Sequence, residues 1–338
     1  MPQHSTDSQM GKSTAMAVSP IGITAFNAVN TVERAVQSAL AQTWRPIEIL
    51  AIDDCSTDGT RDTLDRLAEQ HSELRVFGNA VNGGVAVSRN RIIAEARGEF
   101  VAFFDDDDES LPERVEAQLM RILDYEREFS DGAPVICHTA RRLIYPEGTV
   151  RVEPTMGQIE ARHAPAGPAV ARRILLGVPL EDGYGACPTC SQMARLSTYR
   201  RLDGFDPALR RGEDTDFNIR LAETGGHFVG VGRPLVIQTM TKTSEKSLAE
   251  EYRNMLLLLE KHRAIMERAG QYDFCRHWID AKQAWLEGRR ADFVLALSSL
   301  ALTHPVLTGR RLALALPNIG LNRAFSRFHI GSDNSTKP

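Results

Sequence analysis

The sequence predicts an α/β domain with a doubly wound, largely parallel, mixed sheet flanked by helices, followed by a helical extension. Three observations predict it. Short apolar runs alternate with helix-period segments over the first hundred residues. Gly, Asn, Asp, Ser and Thr cluster at the junctions. Polar groups (Thr24, Asp53-Asp54 and Asp105 to Asp108) fall where the apolar runs end, and sheets of this class bind ligands at the carboxyl ends of their strands.

Residues 21–25 form the first strand. Asn30-Thr31-Val32-Glu33 reads as a capping box, Asn30 accepting from the third helical amide while Glu33 reaches back. Val32, Ala35, Val36, Ala39 and Leu40 follow at helical spacing. Residues 47–52 form a second strand ending at Asp53-Asp54, and a turn leads to a helix over 60–69 with Leu64, Leu67 and Ala68 on one face. A third strand covers 74–77. Asn82-Gly83-Gly84 opens a helix to about residue 96, and the strand 100–104 runs directly into four aspartates. The second half is less regular. Residues 145–168 are rich in Pro and Gly and read as a long loop. A helix is expected over 213–224, with Phe217 and Leu221 four apart, then strands at 228–231 and 235–238. Ser247-Leu248-Ala249-Glu250 reads as a second capping box, heading a helix with Leu248, Tyr252, Met255 and Leu259 on one face.

Composition narrows the function. The 338 residues carry a formal net charge of −4, which argues against a nucleic-acid partner. Five scattered cysteines fit reduced thiols in the cytosol better than a disulfide framework. Residues 1–14 are polar, so no signal peptide is expected, and the longest apolar run, 293–302, is interrupted by Ser298 and Ser299. A cytoplasmic protein, soluble or peripheral to the membrane, is the expectation. Residues 276–338 hold nine Lys and Arg against four acids, a basic tail on an otherwise acidic chain. Such a tail suits contact with an anionic membrane; the plainer reading is an ordinary helical subdomain.

The four aspartates are the sharpest chemical feature. Adjacent carboxylates about 4 Å apart repel by roughly 1 kcal/mol even in water, and their oxygens suit Mg²⁺ or Mn²⁺. A solvated loop capping the next helix is the plain alternative. Asp53-Asp54 offers acceptors to a uracil N3–H or to ribose hydroxyls, or simply makes a turn. Gly83-Gly84 with Arg89 brings a helix start and a cation to the same edge, both suited to phosphate. No G-x-G-x-x-G follows the first strand, against a dinucleotide dehydrogenase. The absence of any basic residue in 25–31 argues against a nucleotidyltransferase. Glu213-Asp214 opens a helix, where acids either complement the dipole or act as a general base. Cys187-x-x-Cys190 has no second pair to complete a zinc site.

These segments together resemble family 2 glycosyltransferases of the GT-A fold. The resemblance is carried by residues 23–27, 38–43 and 52–60, by Asn82-Gly83-Gly84 with Ser88-Arg89-Asn90, by 97–105, and by 202–206 and 211–216. It implies a disordered head over 1–17 and a transferase domain over 18–240, divided into a nucleotide-binding half 18–110 and an acceptor half 111–240. A basic helical extension covers 241–338. By position, Thr24, Ala25, Phe26 and Asn27 would line the base pocket, Phe26 stacking on the base. Asp54 would contact the base, most simply uracil, and Gly83 and Arg89 would lie by the donor. Asp105 and Asp106 would shape the ribose and sugar site, Asp107 would bind Mg²⁺ or Mn²⁺, and Asp214 would be the base of an inverting transfer. The donor implied is a nucleotide-diphosphate sugar, the acceptor a glycan or lipid-linked saccharide of polysaccharide synthesis. Cys55 stands where the family more often has Gly or Asn. Related enzymes often carry a His after the last strand; residues 236–243 have none, and Lys242 is the candidate to meet the diphosphate. That gap motivates an alternative, a non-catalytic nucleotide-sugar-binding or assembly subunit of the same fold.

Overall fold

The computed structural model describes residues 19–240 and 248–315. Strands β1 (Ser19–Ala25), β2 (Ile47–Asp53), β3 (Leu74–Gly78) and β4 (Phe100–Asp105) alternate with α1 (Val32–Leu40), α2 (Thr60–Gln70) and α3 (Val85–Glu95). The four strands pair in parallel in the order β3-β2-β1-β4. β1 is buried along its whole length, which is why it reads as an unbroken run rather than an alternating one.

β5 (Asp108–Ser110), α4 (Arg114–Glu128), β6 (Val135–Ile144), β7 (Val150–Glu153) and α5 (Pro168–Leu176) follow. A single 3-10 turn, Thr189–Ser191, then leads into β8 (Gln192–Arg195), α6 (Leu196–Arg201), α7 (Glu213–Glu223) and β9 (His227–Thr239). The sheet continues from β4 through β8, β6 and β9 to β5, with β7 paired to β6. β8 runs antiparallel to both β4 and β6, so the sheet is parallel in its first half and mixed in its second. α1, α2 and α4 cover one face and α3, α5, α6 and α7 the other, the doubly wound arrangement.

Beyond it lie α8 (Leu248–Lys261), α9 (Arg263–Arg268), α10 (Tyr272–Leu286), α11 (Arg290–Thr303) and α12 (Pro305–Ala315), which share a small core with the end of α5. No helix among the described residues is long and apolar enough to cross a membrane.

Three local expectations are corrected. The first capping box does not form: the N-cap is Thr31, without a side-chain cap, because the Thr31 and Val32 amides already donate to Ala28 O. Glu33 instead pairs with Arg66 of α2. The loop expected over 145–168 contains β7, whose partner strand β6 carries buried polar residues that hide its pattern. The two strands expected at 228–231 and 235–238 are one strand, β9, with register shifts opposite Thr139 to Arg141. Residues 1–17, Lys242, Ser247 of the second capping box and the tail beyond 315 lie outside the described residues.

Candidate active site at the strand ends

Register places the first candidates on one line. Thr24 of β1 lies opposite Asp105 of β4, and Ala25 opposite Asp53 of β2. The chain then leaves the sheet through Phe26 and Asn27. The Phe26 amide donates to Asp106 Oδ2 at 2.8 Å while its ring stays 41% exposed. Asn27 sits in the left-handed region (φ 50°), which Asn tolerates. Its amide donates to Ser56 Oγ and its Oδ1 accepts from the Thr57 amide, both at 2.9 Å, joining the loops after β1 and β2. Cys55 is also left-handed (φ 65°), a position better suited to Gly or Asn.

Asp54 is buried and holds the third loop. Its Oδ1 accepts from Asn79 Nδ2 at 2.7 Å and from the Gly83 amide at 3.0 Å, and its Oδ2 accepts from the Gly84 amide at 2.7 Å. The amides that the sequence offers to a phosphate are thus both engaged by Asp54. A Cβ on Gly84 (φ 85°) would lie 2.7 Å from the Arg210 guanidinium, which packs over this loop and bonds Asn82.

Arg89 joins the two halves of the site. It is 4% exposed; Nη1 donates to Glu213 Oε1 at 2.5 Å and Nη2 to Asp105 Oδ1 at 3.2 Å. One guanidinium therefore ties the end of β4 to the first turn of α7. Burial raises the Glu213 carboxyl, and the Arg89 charge opposes the shift. Asp214, next in the chain, is half-buried, and its Oδ1 accepts from the Thr215 amide at 2.6 Å and hydroxyl at 3.2 Å. Asp216, fully buried, receives Arg220 at 2.8 Å and both Lys261 and His262 at 2.9 Å. These partners overcome the cost of burial and hold its carboxyl down at about 2.

The four aspartates divide. Asp105 ends β4 on Arg89. Asp106 is pushed up to about 7 by burial, with the Asp107 and Asp105 charges adding and the Phe26 amide opposing. Asp107 lies in the turn, its carbonyl accepting from Arg34 Nη2 at 2.5 Å. Asp108 begins β5, 4% exposed. Burial foremost, then the Asp105 and Asp107 charges, push it up to about 8.

Residues 21–174 match the family model described as glycosyl transferase family 2. That segment, a little under half of the chain, is the one that belongs to the family by sequence. A UDP-Glc:alpha-D-GlcNAc-diphosphoundecaprenol beta-1,3-glucosyltransferase of Escherichia coli, WfaP, is 35% identical over 104 residues, 31% of this chain and 41% of that protein. A cholesterol galactosyltransferase of Borreliella burgdorferi is 32% identical over 112 residues, 33% of this chain and 29% of that protein. The chain thus spans less than half the length of either relative. The crystal structure of S. aureus TarS residues 1–349 in complex with UDP-GlcNAc superposes with a TM-score of 0.54 at 16% identity, over 83% of this chain and 80% of that one. The fold is therefore GT-A-like.

Within the family pattern, several matched residues do structural work the sequence does not reveal. Asn90 clamps the 203–206 turn: its Nδ2 donates to Phe205 O and its Oδ1 accepts from the Phe205 amide, each at 2.7 Å. A Cβ on Gly204 (φ 65°) would fall 2.2 Å from that Oδ1, so the turn needs glycine. The Phe205 ring then lies 5.5 Å beneath the Arg89 guanidinium. Cys190, whose C-x-x-C pattern lacks a second pair, lies beside the aspartates. One ligand atom each from Asp105, Asp108 and Cys190 lie within 4.8 Å of one another. No sequence signal links Asp105 to Cys190, so far along the chain; the β4–β8 pairing does.

Proposed function

We propose that the chain is an inverting glycosyltransferase. It moves a sugar from a nucleotide-diphosphate donor, a UDP-sugar, to a hydroxyl of a glycan or lipid-linked acceptor, with Asp214 as the general base. The observation that carries this reading is the Arg89 bridge, which ties Asp105 on the donor side to the first turn of α7. Phe26, exposed beside Thr24, offers its ring to the base of the nucleotide. Asp54 fixes the loop at 82–84 that borders the same pocket. The uridine choice is supported by the UDP-GlcNAc of TarS and the UDP-Glc in the name of the E. coli relative. That relative and the cholesterol galactosyltransferase both name lipid acceptors.

An oxygen-only set, Asp105 to Asp107, has the chemistry for Mg²⁺ or Mn²⁺. An Asp106 carboxyl held at about 7 fits a cluster short of positive charge. Asp107, in the turn, would be the direct ligand and Asp105 and Asp106 would flank it. The metal supplies charge neutralisation for the diphosphate leaving group. Asp214, with one oxygen turned to Thr215, keeps its other oxygen to take the proton of the acceptor hydroxyl, a contribution of about 10²–10⁴-fold.

Exposed Val294, Leu295, Leu302 and Val306 on α11 and α12 support a peripheral membrane contact, which would bring a lipid-linked acceptor near. Liposome flotation of the full chain against a Leu295→Glu, Leu302→Glu variant tests it; equal flotation removes the contact. For the reaction, UDP release is followed with a panel of UDP-sugars and acceptors. Asp214→Ala is expected to lose about 10²-fold or more in kcat with donor KM little changed. Equal turnover removes Asp214 from its role. UDP binding without turnover on any pair would favour the non-catalytic subunit.

A further inference from the structure

Two groups beside the site take no part in the proposed transfer. Asp108 is 4% exposed; among the described residues neither of its carboxylate oxygens has a nitrogen or hydroxyl partner, and the Cys190 thiol is the group that acts on it as a weak donor. Cys190, a free thiol 3% exposed, lies in the turn that precedes β8. Neither buried guanidinium group around them bonds Asp108. Arg114 donates to Gln118 Oε1, Ser110 Oγ and Phe103 O. Arg141 bonds Glu153 and Gln238 and also donates to Cys190 Sγ at 3.7 Å. A carboxylate removed from water with only a thiol as donor is strongly disfavoured unless a cation or a proton completes it.

We propose that Asp105, Asp108 and Cys190 form a buried site for one thiophilic divalent cation, zinc by its ligand chemistry, separate from the donor-side metal at Asp107. The three residues bring ligand atoms within 4.8 Å of one another, and they come from three segments that the sheet holds in place: the end of β4, the start of β5 and the turn before β8. One sulfur with two carboxylate oxygens suits Zn²⁺, which takes mixed sulfur and oxygen sets in tetrahedral geometry, and it does not suit Mg²⁺, which requires oxygen throughout. Binding exchanges the thiol proton for the metal: the S–H bond breaks, a sulfur–zinc bond forms, and the proton leaves to solvent. Two guanidinium groups nearby limit the excess negative charge of the filled ligand set, as Arg114 and Arg141 both act on Asp108 and Cys190. The ion would fix Asp105, which also receives Arg89. Its role is to set the geometry of the donor edge rather than to carry out the transfer.

The experiment uses the full chain, stripped with chelator and titrated with Co²⁺ as the spectroscopic substitute. A thiolate-to-cobalt charge-transfer band saturating at about one equivalent is expected in the wild type. It should persist in Asp107→Asn and Cys187→Ala and be lost in Cys190→Ser and Asp108→Asn. Elemental analysis should find zinc in the same pattern. No charge-transfer band in the wild type, or a band that survives Cys190→Ser, overturns the proposal. A band lost in Asp107→Asn overturns the separation of the two sites. Should Cys190→Ser fail to fold, zinc-edge X-ray absorption of the loaded wild type decides: a single sulfur ligand supports the site, and none or several overturn it. An infrared band of a protonated carboxyl that disappears in Asp108→Asn, in protein that binds no cobalt, would show that a proton completes Asp108 instead.

Discussion

Replacing Arg89 with Met tests the bridge on which the functional reading rests. Methionine keeps much of the stem and removes the charge and both hydrogen bonds. The Glu213 side of the bridge is nearly closed to water, with side-chain exposures of 5% and 10% for the two partners, whereas Asp105 is 28% exposed. Removing one member of a buried pair typically costs about 3–5 kcal/mol, because the other charge is left without compensation. The more open Asp105 contact adds about 1 kcal/mol at most. Protonation of Glu213, whose carboxyl is already raised by burial, returns part of the loss. The expected destabilisation is about 4 kcal/mol near neutral pH, nearly three decades in the folded-to-unfolded ratio. It should shrink as pH falls and Glu213 takes up its proton. Urea unfolding of wild type, Arg89→Met, Glu213→Gln and the double variant forms a cycle. The double variant should be less destabilised than the sum of the singles by about 1–3 kcal/mol. A loss under about 1 kcal/mol for Arg89→Met, or an additive cycle, would refute the bridge as a structural link. Arg89→Lys should rescue poorly, since an ammonium lacks the planar fork that reaches both acids.

Three further outcomes are expected. Asp54→Asn replaces one acceptor oxygen with a donor, so at least one of Asn79, Gly83 and Gly84 loses its partner. Stability should fall by about 1–3 kcal/mol, and calorimetry should show weaker UDP binding; unchanged affinity would separate the 82–84 loop from the nucleotide pocket. Asp106 has a folded-state carboxyl at about 7, above its ordinary 3.8, so the folded chain binds more protons between those values and loses stability as pH rises through them. Metal-free Asp106→Asn should therefore be more stable than wild type at pH ~8 by about 4 kcal/mol, with the gap closing toward pH ~4 in thermal melts; a gap that does not move with pH would contradict this. Asp216 is the opposite case, held at about 2, so its contribution is present above 3.8 and disappears as pH falls toward 2. Asp216→Asn should cost about 2 kcal/mol at neutral pH and little in strong acid, and equal melting temperatures at pH ~7 would count against it.

The strands β1, β2 and β4 were legible because each is buried nearly throughout, and β3 because it is a short, mostly apolar run, all bounded by turn-forming residues. That pattern also set Thr24, Asp54 and Asp105 at one edge. β6 was not legible: its sequence, Val135-Ile136-Cys137-His138-Thr139-Ala140-Arg141, mixes apolar and polar residues, yet all but the last are buried. His138 and Arg141 are accommodated by specific partners, Gln192 for one and Glu153 for the other, and periodicity cannot register a partner. The first capping box failed for a related reason, since backbone carbonyls had already satisfied the helix start. Asp108 and Cys190 illustrate the limit most sharply. Four identical side chains in a row carry no mark of which is buried, and only the return of the chain through β5 and β8 distinguishes them.

Asp214 and Asp216 stand two residues apart on α7, and they face different neighbours. The first is half-buried and bonded, among the described residues, only to Thr215, while the second is gripped by Lys261 and His262 at the junction of α8 and α9. The C-terminal helices are thereby anchored to the very turn that carries the proposed base. Any exchange of those helices between relatives would have to keep a matching pair of donors at that junction, or it would leave the carboxylate beneath the reactive turn to Arg220 alone. A graft that looks peripheral in the linear sequence would be felt first as a change in base alignment, so modular engineering of this chain has its seam at Lys261 and His262 rather than at the edge of the sheet.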